Sequence, residues 1–292
     1  MKLLVTGASG FIGRNLVEYL SERYDVLSPG RTELDLLEEQ SVDTYFRRHT
    51  VDAVIHAAGK PGHRNAVDLT GIFYADTRMY FNLVRNSHNF GKLLVTGSGG
   101  IYDLRKYRPK MTETEWRNNI PADEHGFFRY VTAHHIEATD GVVDLRLFGV
   151  FGKYEDYAIR FISNAICKVL HNIPITIRQD RFFDYLYIDD FMQVIQYFIT
   201  HDANYHEYNI TPDKSVSLKW LAELIMDISG KRLPILIALE GMGLEYSGDN
   251  SRLKEEVLGL VFTPLETSIR RLYDWYKKNI NNINRYLLLI DK

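Results

Sequence analysis

Ser98 and Tyr130 are hydroxyl-bearing residues placed where chemistry is possible. Ser98 lies in Thr96-Gly97-Ser98-Gly99-Gly100-Ile101-Tyr102, directly after the apolar run Lys92 to Thr96, and Tyr130-Val131-Thr132-Ala133-His134-His135 follows on a helical stretch. A hydroxyl at a strand end and a tyrosine on a downstream helix can converge over one cleft. A third stretch, Thr6-Gly7-Ala8-Ser9-Gly10-Phe11-Ile12-Gly13, follows the apolar run Lys2-Leu3-Leu4-Val5 and has the spacing Gly-x-x-Gly-x-x-Gly. Such glycines let the backbone turn sharply, approach a pyrophosphate and pack the next helix on the strand, while that helix's N–H groups and dipole attract phosphate. A bound dinucleotide is expected here; the bland alternative is a tight strand-to-helix turn without ligand.

Strands are predicted at Lys2 to Thr6, Asp25 to Ser28, Ala53 to His56, Lys92 to Thr96, Val142 to Leu147 and Tyr185 to Ile188. Helices are predicted over Ile12 to Glu22, Ser41 to Arg48, Gly71 to Phe90, Tyr130 to Thr139, Ala158 to Leu170, Phe191 to Thr200, Leu218 to Ile228 and Leu265 to Lys278. This rhythm is that of an α/β protein with a doubly wound parallel sheet, the Rossmann arrangement, with the ligand outside the carboxyl ends of the strands. Residues 1–152, completed by about 181–204, are expected to form the dinucleotide-binding domain, and 153–180 with 205–292 a smaller C-terminal substrate-binding lobe.

The second strand ends in Leu27-Ser28-Pro29-Gly30-Arg31-Thr32. An NAD-binding chain normally places a carboxylate there for the ribose hydroxyls. Arg31 instead suits a 2′-phosphate through charge-assisted hydrogen bonds, so NADP is favoured over NAD. The alternative is a solvated surface arginine. Ser9 can add a hydroxyl donor, and Asp35-Leu36, in a turn beyond the second strand, is expected near the adenine edge.

With 45% hydrophobic residues and a formal net charge of −3, the chain can bury a large core and carries no broad basic field, so nucleic acid is not an expected partner. The single cysteine, Cys167, cannot form an intrachain disulfide, and no apolar run approaches the ~20 residues of a membrane span. A cytoplasmic protein without membrane contact is expected. Asp189-Asp190 is read as a helix cap ahead of Phe191 rather than a metal pair, and no cluster has metal-ligand spacing. Lys60 and Arg64, after the third strand, are either solvated or reach a phosphate.

With these residues in view, the chain resembles the extended short-chain dehydrogenase/reductase family, and within it the nucleotide-sugar epimerases and reductases. The resemblance runs through Thr6 to Gly13, His56-Ala57-Ala58-Gly59-Lys60, Ser98 with Tyr102, Leu145-Arg146-Leu147-Phe148, Asp184 to Asp190, Tyr208-Asn209-Ile210 and Asp274-Trp275-Tyr276-Lys277. It implies cofactor contacts from Gly7, Ser9, Gly10, Phe11, Ile12 and Gly13, from Arg31, Asp35 and Leu36, and from Ala57, Ala58, Gly59 and Thr96. It also implies a nucleotide-sugar substrate and a homodimer. In this family a Tyr-x-x-x-Lys pair performs acid/base chemistry, the lysine gripping the nicotinamide ribose and lowering the tyrosine pKa. The resemblance therefore implies Ser98, Tyr130 and His134 as catalytic residues, with His134 in the lysine's place. Gly99-Gly100 after Ser98 lack the Asp-Glu pair of the family's dehydratases. In a branch that epimerises before reducing, a cysteine takes the place of Gly100 and a histidine lies near Tyr154; neither is here. Gly149 and Phe183 stand where the family has asparagine and arginine. The expected function is an NADP-dependent reductase of a nucleotide-linked keto sugar. The alternatives are a nucleotide-sugar 4-epimerase that retains its cofactor and a catalytically impaired nucleotide-binding protein of the same fold.

Overall fold

The computed structural model describes residues 1–62 and 70–289, so Arg64 lies outside the described residues. In chain order the strands are β1 (Lys2–Thr6), β2 (Asp25–Leu27), β3 (Ala53–His56), β4 (Lys92–Ser98), β5 (Val142–Leu147) and β6 (Gly149–Phe151). They continue with β7 (Ile175–Asp180), β8 (Phe182–Phe183), β9 (Tyr185–Tyr187), β10 (Glu207–Ile210), β11 (Val216–Ser217) and β12 (Ile235–Met242). The helices are α1 (Phe11–Leu20), α2 (Glu39–Arg48), α3 (Ile72–Val84), α4 (Glu124–Glu137) and α5 (Phe161–Leu170), then α6 (Ile188–Thr200), α7 (Leu218–Ser229), α8 (Ser251–Glu256) and α9 (Leu265–Lys278).

A six-stranded sheet runs β10-β5-β4-β3-β1-β2, and every neighbouring pair is parallel. Its inner strands are covered on both faces by helices, so every residue of β3 and β5 is buried, with Asp144 and Arg146 of β5 paired to each other at 2.8 Å. α1 buries Leu16 and Leu20 against the sheet. From β1 the chain goes to β2 on one side and then crosses to β3 on the other. That reversal opens a crevice at the carboxyl ends of β1 and β3, where a doubly wound sheet binds its ligand.

Two elements depart from the sequence reading. The strand at Tyr185 pairs with β6 outside the main sheet, and Glu207–Ile210 takes the place beside β5. Its polar letters disguised it, because they are satisfied inside: Asn209 Nδ2 donates to Met111 O at 2.8 Å and Asn209 N–H to Glu113 Oε1 at 2.9 Å. This segment therefore completes the sheet rather than the lobe. α4 begins at Glu124, not at Tyr130, because Asp123 caps it, accepting from the Gly126 N–H at 2.8 Å.

The lobe gathers β7 with β12, β8 with β11, and helices α5, α7 and α9. Asp189 and Asp190 sit in the first turn of α6. The Asp190 carboxylate accepts from the Thr263 N–H at 3.0 Å and the Thr263 hydroxyl at 2.6 Å, which ties the segment before α9 to the sheet domain. Among the described residues, no helix is long and apolar enough to cross a membrane, and no His, Cys, Asp and Glu group could hold a metal ion.

Candidate active site

The glycine turn is built for close approach. Gly7 has φ +71°, and a Cβ there would lie 2.6 Å from the Ala57 backbone at the end of β3. At Gly13 a Cβ would lie 2.1 Å from the Gly7 carbonyl oxygen. Neither neighbour can yield, since both are backbone, so the turn is a cradle that side chains would fill. Gly10 caps α1, whose opening N–H groups face outward from this turn, with Phe11 and Ile12 packed against the core in the first helical turn. These features fit the pyrophosphate of a nicotinamide dinucleotide. Ser9 is exposed and faces a second cavity of about 470 Å³ shared with Arg14, Tyr154 and Trp275.

On the adenosine side, the side chain of Arg31 is 75% exposed and its Nε pairs with Asp35 Oδ2 at 3.1 Å. Asp35 also accepts from the Leu37 N–H at 3.0 Å, and its own N–H donates to Ser41 Oγ at 2.9 Å. Leu36 is buried in the core beside α2 and α3, so its side chain offers nothing to an adenine.

Beyond the glycine cradle, a cavity of about 420 Å³ lies between the ends of β3 and β4 and helices α3 and α4. Ala57, Ala58, Gly59 and Thr96 line it, and the Thr96 hydroxyl donates to His56 O at 3.1 Å. The face that α4 turns to this cavity carries His125, Phe128, Arg129, Thr132 and Ile136, a stripe at helical spacing. Gly126 permits the approach, because a Cβ there would stand 2.7 Å from Gly100 O in the turn after Ser98.

This register corrects the sequence reading. Tyr130 is one residue past Arg129, about 100° further around the helix, and does not line the cavity. Its ring packs edge-on against Trp116 and His134, at 5.6 and 4.8 Å between centroids. His134 is exposed and also packs on Trp116. The cavity-facing pair at the family's four-residue spacing is His125 and Arg129, and neither the tyrosine nor the lysine is present.

Among the described residues, His125 Nδ1 and Arg129 Nε are both buried without a hydrogen-bond partner, although Arg129 Nη1 donates to His125 O at 2.9 Å. Buried polar atoms left open toward a cavity mark a place for polar ligand atoms. Burial, together with the Arg129 and Arg160 guanidiniums, pushes the His125 imidazole down to about 4, so it is neutral near pH 7. Burial also raises the Asp76 carboxyl, which accepts from the Lys60 N–H at 2.6 Å.

Ser98 ends β4 beside this cavity, half-buried, its Oγ accepting from the Gly100 N–H at 3.1 Å. Tyr246, from the stretch after β12, brings its hydroxyl close to the turn after Ser98, and its ring stacks on Tyr107. No sequence spacing pointed to Tyr246, which lies far along the chain from Ser98. His125 and Arg129 were legible in principle as a four-residue pair after the capping Asp123.

Residues 3–211 match the NAD dependent epimerase/dehydratase family. Over 107 residues the chain is 36% identical to GDP-L-colitose synthase of Yersinia pseudotuberculosis, covering 35% of each chain. Over 89 residues it is 36% identical to GDP-L-fucose synthase of Azorhizobium caulinodans, covering 30% of this chain and 28% of the other. These matches span about a third of the two relatives. The fold is that of GDP-mannoheptose C4 reductase from Campylobacter jejuni with NADP bound, at a TM-score of 0.81 and 22% identity over 94% of this chain and 98% of that one. With the family match spanning the sheet from β1 through β10, and with a glycine cradle made for a dinucleotide, the chain belongs to the NAD dependent epimerase/dehydratase family of extended short-chain dehydrogenases/reductases.

Proposed function

We propose that this protein is an NADPH-dependent reductase of a keto sugar carried on a nucleoside diphosphate. The observation that carries the reading is the cationic cavity at the end of β4. Ser98, one residue past the Gly97 that lines this cavity, would offer a hydroxyl to a carbonyl oxygen, while Arg129 and Arg160 from the lining would oppose the negative charge that grows on that oxygen. With its pyrophosphate in the glycine cradle, the reduced cofactor would supply the hydride. Ser98 would hold the carbonyl oxygen, Arg129 would orient the nicotinamide ribose, and Arg160 at the rim would oppose the diphosphate charge.

NADP is preferred to NAD because the run from Leu27 to Thr32 has no carboxylate for ribose hydroxyls and carries Arg31. The same lack disfavours a 4-epimerase that keeps NAD bound. Gly99 and Gly100 after Ser98 supply no acidic pair for dehydration. The two relatives named for GDP sugars make a guanosine diphosphate 4-keto sugar the first substrate to offer.

Nicotinamide fluorescence titration tests the cofactor half of the reading. NADPH is expected to bind at least ~10-fold more tightly than NADH, and Arg31→Ala to erase that preference, the size of a charge-assisted hydrogen bond. Equal affinity for both, or tightly carried NAD in the purified protein, would contradict it.

A further inference from the structure

We propose that Tyr246 is the proton donor of this reaction, a phenol brought to Ser98 by the C-terminal lobe where α4 no longer presents a tyrosine. The inference rests on the reductase reading above. Backbone pairing fixes Tyr246: its N–H donates to Phe182 O at 2.9 Å, and its carbonyl accepts from the Asp184 N–H at 3.1 Å. Its ring stacks on Tyr107 at 4.8 Å between centroids and meets Phe183 at 4.9 Å and Phe148 at 5.2 Å. The hydroxyl is therefore aimed. It lies beside the turn that follows Ser98, where a Cβ built on Gly99 would come within 2.8 Å of its oxygen. Glycine at position 99 makes room for this phenol.

The surroundings keep this phenol protonated until a growing oxyanion draws its proton. Burial is the largest influence and holds the phenol above its usual value, whereas the Ser98 hydroxyl and the guanidiniums of Arg129 and Arg160 favour the phenolate. Tyr107 faces it from the loop after β4, Arg129 from α4 and Arg160 from the start of α5, while the Asp184 carboxyl is near enough to Tyr107 to oppose that residue's ionisation. Tyr107 is occupied, since its own hydroxyl donates to Gly99 O. Neutral His125 holds no imidazolium proton to give, and Tyr130 points away. The step balances. The carbonyl carbon gains the hydride of the reduced nicotinamide, the C=O π pair passes to oxygen, and that oxygen takes the Tyr246 proton as the phenol O–H bond breaks. The phenolate left behind is stabilised by the two guanidiniums and recovers a proton from solvent.

The test uses the full chain and its Tyr246→Phe, His125→Asn and Tyr130→Phe variants, with a guanosine diphosphate 4-keto sugar and NADPH. Tyr246→Phe keeps the stacked ring and should lower kcat by ~100-fold or more, the usual share of general acid catalysis, with NADPH affinity unchanged. Tyr130→Phe should leave kcat unchanged. Retention of more than about a tenth of the wild-type kcat by Tyr246→Phe, or the same loss from His125→Asn instead, would overturn the assignment. Should the wild type reduce no keto sugar, the reductase reading fails, and the phenol is judged by ultraviolet phenolate titration. A phenolate present in the wild type and missing from Tyr246→Phe must titrate higher in Arg129→Gln; an unmoved midpoint would overturn the placement of Arg129 beside it.

Discussion

Asp35 controls how Arg31 can meet a 2′-phosphate. The guanidinium that would hold the phosphate is already paired with this carboxylate at 3.1 Å, and the carboxylate also repels a second anion. Exposed pairs are weak, so the phosphate can compete, at a cost. Asp35→Asn keeps an acceptor for the Leu37 N–H yet removes the charge. It should tighten NADPH binding several-fold and leave NADH unchanged, read by the same fluorescence titration; equal gains for both cofactors would show that Arg31 does not read the phosphate. His56 is informative in another way. It is buried at the end of β3, bonded to Thr6 Oγ1 at 2.8 Å, and burial pushes it down to about 4. The unfolded chain binds a proton there below about 6.5, so the neutral form contributes stability above that value, lost as pH falls from about 6.5 toward 4. The effect is about 3 kcal/mol for this group. His56→Asn should flatten the rise of unfolding free energy between those pH values in urea titrations, and an unchanged slope would mean that His56 is solvated.

At the scale of elements, α4 decides which side chains reach the cavity. Its start depends on Asp123, whose carboxylate accepts from the Gly126 N–H, and on the contact of Gly126 with the Gly100 carbonyl. Asp123→Ala should cost ~1 kcal/mol of stability and, by loosening the first turn that bears His125 and Arg129, lower kcat more than it alters NADPH affinity. A stability loss with full activity would mean that the first turn is not part of the working site. The same helix marks the limit of sequence reading. β1 through β5 and the glycine turn were legible because they combine continuous apolar runs with glycines that only one backbone geometry explains. The start of α4 was not, because Glu124-His125-Gly126-Phe127-Phe128 mixes a helix-weakening glycine with aromatic residues and shows no amphipathic period. That error of a few residues placed the expected pair at Tyr130 and His134, whereas the side chains that α4 turns to the cavity at this spacing are His125 and Arg129. β10 was missed for a related reason, since its buried asparagine and glutamate are satisfied by partners distant in sequence.

At the scale of the whole molecule, Asp184 joins segments that the chain brings together late. It is fully buried, accepting from the Thr211 hydroxyl and from the Gly248 N–H at 2.9 Å, with Lys110 nearby at 3.9 Å. It thereby links the junction between β8 and β9, the end of β10 and the stretch that carries Tyr246. Burial pushes its carboxyl up to about 6. The folded chain holds a proton there that the unfolded chain sheds above about 4, so this group's contribution falls as pH rises from about 4 to 6, opposite in sign to His56. Asp184→Asn should therefore make the wild-type rise in stability over that interval steeper, and an unaltered slope would place the titration elsewhere. In the proposed reaction three parts of the fold would meet: the glycine cradle after β1 for the cofactor, Ser98 at the end of β4 for the carbonyl oxygen, and Tyr246 from the lobe for the proton. The decisive measurement supplies NADPH deuterated at the transferable position together with a guanosine diphosphate 4-keto sugar, and follows both cofactor oxidation and product mass. One deuterium on the new carbinol carbon for each NADPH consumed is the predicted result; an epimerised product without net cofactor oxidation, or no transfer from a bound cofactor, would contradict it.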